Sequence, residues 1–148
     1  MTDSKSKLHL PVEQSDGTSF IKEIVVDSTD FNIDEADIEG ELCRAGALLC
    51  YYADMAAELD AKSANAKRSF EEIQALKAIQ YRSGGSKVTQ GMVDDMQAVD
   101  PIVKQKHIEL IECQKEAMKA TNLFRAMNQR VECLKALAYR TGRQEKNF

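Results

Sequence analysis

Residues 100–142 read DPIVKQKHIELIECQKEAMKATNLFRAMNQRVECLKALAYRTG, and this stretch decides the fold. Asp100-Pro101 is a helix start. Asp serves as N-cap, and Pro fits the first helical position, where its missing N–H has no intrahelical partner to lose. Apolar or small residues then return every seven positions at Val103, Leu110, Ala117, Phe124, Val131 and Ala138. Cys113, Ala120, Met127 and Leu134 form a companion row. A repeat of seven is a helix seam that packs against another helix. Gly142 is expected to close it after Thr141.

The partner lies upstream. From about Asp34 to Arg82 the chain has no Pro and carries two rows of its own. One is Leu42, Leu49, Ala56, Ser63 and Phe70. The other, three positions on, is Ala45, Tyr52, Leu59, Ala66 and Ile73. Ser63 and the alanines make the middle of this seam weak, so the facing helix there must be close or polar. Ser83-Gly84-Gly85-Ser86 ends the helix, since glycine accepts a left-handed C-cap. Thr89 can cap a short helix over roughly 90–98. At 1.5 Å per residue the long helices measure roughly 60–70 Å.

These signals define an all-α fold: two long antiparallel heptad-bearing helices, about 34–82 and 101–141, joined by a short connector helix within 83–100. Ile111, Met118, Leu123 and Leu137 lie off the seam and want cover, which points to a homo-oligomer. Residues 20–148 form a single helical domain. Residues 1–19, polar and holding Pro11 and Gly17, are expected to be a flexible acidic tail. Phe20–Val26 is apolar but too short for periodicity to separate strand from helical turn. Asp27-Ser28-Thr29-Asp30 is a turn or cap cluster.

Composition agrees. The 148 residues include two Pro and seven Gly, little punctuation for a many-stranded β protein. With no Trp and 6% aromatics, the core is expected to be built mainly of Leu, Ala, Ile, Val and Met. No run of about 18 apolar residues offers a membrane span. The polar N-terminus lacks the apolar stretch of an export signal, and four Cys in such a chain point to free thiols in a reducing, cytoplasmic compartment.

Charge is uneven. Residues 1–60 carry four basic and fourteen acidic side chains, a net −10, whereas residues 61–148 carry sixteen and ten, a net +6. Over 117–148 seven basic residues face two acidic ones. Local potential, rather than the net −4 of the whole chain, attracts a polyanion. A solvated helix surface is the plainer reading of the same numbers.

An internal echo sharpens the question. Leu76-Lys77-Ala78-Ile79-Gln80-Tyr81-Arg82-Ser83-Gly84 ends the first long helix, and Leu134-Lys135-Ala136-Leu137-Ala138-Tyr139-Arg140-Thr141-Gly142 ends the second. Six of nine positions are identical. As structure, cations near a helix C-terminus suit the dipole, and Gly caps. As function, cations for phosphates with a ring for bases is what single-stranded nucleic acid uses. On the second reading the candidate contacts are Lys77, Tyr81, Arg82, Lys87, Lys135, Tyr139, Arg140 and Arg143. An antiparallel pair separates the two ends, so a shared surface would need neighbouring subunits.

Catalytic and metal constellations are missing. Gly84-Gly85-Ser86-Lys87 lacks the spacing and preceding strand of a phosphate loop. No paired-Cys zinc motif occurs, and His107 with Cys113 would need further ligands. His9 and His107 lack a nucleophile–base arrangement. Acidic residues at Asp94, Asp95 and Asp100 are explained by helix starts. No cofactor and no enzyme activity is expected.

Three places resemble the phage recombination mediators of the UvsY type. Ile24-Val25-Val26-Asp27-Ser28-Thr29 is similar to that family's apolar-Asp-Ser-Thr segment before its first long helix. Leu76-Lys77-Ala78 with Tyr81-Arg82-Ser83-Gly84 is similar to its Leu-Lys-Ala-Arg and Tyr-Tyr-Ser-Gly run. The order of helix, Gly-rich break, acidic connector and long basic helix also matches. The resemblance, running loosely from Ile21 to the C-terminus, implies a ring-like helical oligomer that binds single-stranded DNA. Its partners would be a RecA-like recombinase, which it helps load, and the single-strand-binding protein, which it helps displace. Lys77 matches the family's DNA-contacting lysine, while the arginine position holds Ile79; Arg82 and Lys87 would supply the lost charge. The alternative is a non-catalytic coiled-coil adaptor, such as a virion or assembly component, with no nucleic-acid role.

Overall fold

In the computed structural model the described residues are 5–13, 19–84 and 87–145, with side chains described for Asp27, 29–84 and 87–142. The helices carry the fold, which is all-α with two long helices and a short connector. Helix α1 runs Ile38–Arg82, α2 Gln90–Val99 and α3 Pro101–Glu145. Both long helices have 45 residues, about 68 Å each. Ahead of them, β1 (Lys5–Glu13) pairs antiparallel with β2 (Ser19–Asp27), Leu8 opposite Ile24 and Val12 opposite Phe20.

The strands correct one expectation. Residues 5–13, read as part of a flexible tail, form β1, and 20–26 fall on the strand side of the open question. The sequence held the signal: Leu8, Leu10 and Val12 alternate with Lys7, His9, Pro11 and Glu13. Pro11 masked it, but a two-stranded ribbon has only edge strands, where Pro is tolerated.

Helix boundaries follow local chemistry. Asp27 Oδ1 accepts the Thr29 amide at 2.9 Å and opens a 3-10 turn over Ser28–Phe31. The first long helix starts at Ile38 rather than near Asp34. Asp34 Oδ1 takes the Ala36 amide at 2.9 Å, and Asp37 Oδ1 takes that of Gly40 at 3.0 Å, so the true cap lies three residues further on. Thr89 caps α2 by accepting the Met92 amide. At the far end, α3 runs through Gly142 to Glu145. Thr141 Oγ1 bonds the carbonyls of Leu137 and Ala138, and Gly142 is not left-handed, so nothing there terminates the helix.

The chain divides into two compact units: Met1–Ala56 with Ala120–Phe148, and Ala57–Lys119. In the first unit Ala45, Tyr52, Met55, Ala120, Met127 and Leu134 are buried. In the second, Leu59, Val93, Val103, Leu110 and Ala117 are buried. Every residue of the four heptad rows is buried or half-buried. Each fully buried large apolar side chain among them contributes about 1.5–3 kcal/mol, and the half-buried ones less. In the second unit α1 and α3 run antiparallel: Lys62 meets Glu116, Phe70 stacks on His107, and Lys77 meets Asp100.

Candidate nucleic-acid interface

The end of α1 is built around one carboxylate. Asp100 Oδ1 accepts the amides of Ile102 at 2.8 Å and Val103 at 3.3 Å, capping α3. Its Oδ2 faces back to α1, where Lys77 Nζ stands at 2.9 Å and the Tyr81 hydroxyl donates at 2.8 Å. One residue therefore starts one helix and clasps the end of another. Lys77 and then Tyr81 hold the Asp100 carboxyl well below the usual carboxylate range. Hydrogen bonding to that charge, with some desolvation, pushes the Tyr81 hydroxyl up. Arg82 donates to Gln90 Oε1, and Gln90 Nε2 donates to Asp94 at 2.8 Å, tying α2 to the same corner. Gln97 Nε2 adds a bond to the Gln74 carbonyl at 2.7 Å. Lys87 is exposed in the segment before α2.

The same nine-residue sequence sits differently on α3. Leu134 is 0% exposed, whereas its counterpart Leu76 is 57% exposed. The Lys135 side chain is 61% exposed and pairs with Glu132 one turn away at 2.7 Å; that of Lys77 is 20% exposed. Tyr139 is 71% exposed, and Arg140 is exposed beside it. Arg143 lies in α3 outside the residues whose side chains are described. Of the eight candidate residues, Lys77, Tyr81, Arg82 and Lys87 thus belong to the second unit, and Lys135, Tyr139, Arg140 and Arg143 to the first.

The first unit holds a charged interior that was not singled out from the sequence. Arg130 is buried and donates from Nε and Nη2 to the Asn32 carbonyl at 3.1 and 2.9 Å, and from Nη2 to Glu41, also buried. Its Nη1 is buried without a hydrogen-bond partner among the described residues. Alongside, the Tyr52 hydroxyl donates to Asp30 at 3.0 Å, and Phe31 and Tyr51 pack on its ring. Burial, and then the Asp30 carboxylate, pushes the Tyr52 hydroxyl far up. The signal existed: Arg130 lies between Met127 and Leu134 on the inward face of α3, and Glu41 lies one turn before Ala45 on that of α1. A charged pair of opposite sign on two inward faces is a buried ion pair in waiting.

Among the described residues no group of three or more His, Cys, Asp or Glu could hold a metal ion. No described helix is long and apolar enough to cross a membrane. No protein-family model, no curated protein and no solved structure matches this chain.

Proposed function

We propose that the protein is a single-stranded-DNA-binding recombination mediator, a non-enzymatic homo-oligomer that helps a RecA-like recombinase replace single-strand-binding protein. The observation that carries the reading is the end of α3: Leu134 is buried, while Lys135, Tyr139 and Arg140 are exposed on the same two turns. Cations for phosphates beside a ring for a base are the elements of sequence-tolerant single-strand binding. The basic C-terminal half and the resemblance of the sequence to the UvsY type support the same reading. Such a role needs no chemistry, but many moderate contacts repeated around an assembly.

The end of α1 favours a second reading. Lys77 and Tyr81 are engaged by Asp100, so that copy of the echo works as a clasp, as it would in a coiled-coil adaptor without nucleic-acid binding. The two readings separate on single-stranded-DNA cellulose. A mediator is retained at low salt and released as salt rises, and it speeds strand exchange on DNA precoated with single-strand-binding protein. An adaptor flows through and leaves strand exchange unchanged.

A further inference from the structure

Helix α3 carries a second basic surface, within the Ala57–Lys119 unit and away from the echo. At 100° per residue, His107, Ile108, Ile111, Lys115, Met118 and Lys119 all fall within about 60° of Lys104 around the helix. All seven are exposed. No acidic residue of α3 lies in that sector between 104 and 119. The acids of this stretch are turned aside or engaged: Glu109 pairs with Lys106 at 2.8 Å and Glu116 with Lys62 at 3.1 Å, while Glu112 lies at the edge, about 60° around from Lys115. Among the described residues none of Lys104, Lys115 and Lys119 forms an ion pair, unlike Lys77 and Lys135.

The sector also presents a ring. His107 stacks on Phe70, centroids 5.1 Å apart and planes 20° from parallel. Phe70 comes from α1, so the imidazole is braced from behind by a seam residue and stays exposed. It sits one turn from Lys104 and one from Ile111. An acid-free stripe of three lysines interspersed with apolar side chains, with a braced ring on its border, is complementary to a flexible polyanion whose bases are unpaired.

We infer that this stripe is a single-stranded nucleic-acid binding track, with Lys104, Lys115 and Lys119 on phosphates and His107 as a stacking platform. It rests on the nucleic-acid reading above, and it assigns contacts that reading does not contain. The test uses the full chain, a labelled single-stranded oligonucleotide and a salt series. Four proteins are compared: wild type, the triple variant Lys104→Gln/Lys115→Gln/Lys119→Gln, His107→Ala and His107→Phe. The triple variant should lose about tenfold or more in affinity at low salt. Its dependence of log affinity on log salt should flatten by about 2, since each single-strand phosphate contributes about 0.7. His107→Ala should weaken binding several-fold without changing that slope, and His107→Phe should restore it.

Wild-type binding with an unaltered triple variant overturns the track and leaves the mediator reading standing. No wild-type binding overturns both. Sedimentation completes the test: a triple variant that loses binding because its assembly mass falls shows the stripe to be an interface between copies, which also overturns the track.

Discussion

The ends of α1 and α3 share six of nine residues and do opposite things with them. On α1 the lysine and tyrosine turn inward onto Asp100 and the leucine turns out. On α3 the leucine is in the core and the lysine and tyrosine face solvent. The cause is register. Counting by sevens from Leu42 and Phe70 reaches Lys77, so lysine occupies the seam of α1. Counting by sevens from Ala120 and Met127 reaches Leu134, so leucine occupies the seam of α3. Identical sequence placed on a different phase of the heptad presents a different face. Local similarity therefore does not transfer function until the helical phase is known.

The largest expected contrast is between the two leucines. Leu134→Ala should cost about 2–5 kcal/mol through lost burial and a residual cavity, whereas Leu76→Ala should stay within about 0.5 kcal/mol. Urea melts of the two variants measure it, and equal losses would dissolve the distinction between the ends.

The lysines come next. A double-mutant cycle on Lys135 and Glu132, both more than 60% exposed, should give about 0.5 kcal/mol or less. The same cycle on Lys77 and Asp100 should give a larger coupling, because both side chains are mostly shielded from water. A weaker coupling at Lys77 than at Lys135 would contradict the clasp.

The clasp carries its own acid limb. Asp100 is held below the ordinary carboxylate range when folded, so as pH falls the unfolded chain takes up its proton first. The contribution is complete above the ordinary range and drains away as pH drops through it towards the folded value. Asp100→Asn should flatten the acid limb of a stability–pH profile, and an unchanged limb would remove Asp100 from it. On the alkaline side Tyr52 and Tyr81 are raised. Stability is therefore retained below about pH 10 and lost as pH rises beyond it, when unfolded tyrosines ionise and the folded ones resist. Tyr81→Phe should soften that loss only slightly, the smallest effect of the set.

Much of this fold is legible in the sequence. Asp100-Pro101, Thr89 and the heptad rows gave the long helices and their inward faces, because capping and periodicity are local properties. What escaped did so for definable reasons. Pro11 disguised an alternating strand. Arg130 and Glu41 occupy inward positions, but charged side chains there are read as solvated unless both helices are phased together. At the candidate site six of the eight residues lie in the two like segments, with Lys87 and Arg143 just beyond them; the phase that separates Lys77 from Lys135 was present in the same heptad count. The stripe from Lys104 to Lys119 needed the structure, since freedom from ion pairs and the bracing of His107 by Phe70 depend on which side chains meet.

Binding of single strands is the central claim, and fluorescence anisotropy with a labelled single-stranded oligonucleotide, at two salt concentrations and with duplex as control, tests it most directly. The mediator reading gives micromolar or tighter binding that prefers single strands and weakens as salt rises. No binding at low salt, from a sample shown by circular dichroism and sedimentation to be an intact helical assembly, would contradict it and leave the paired helix ends as caps and a clasp.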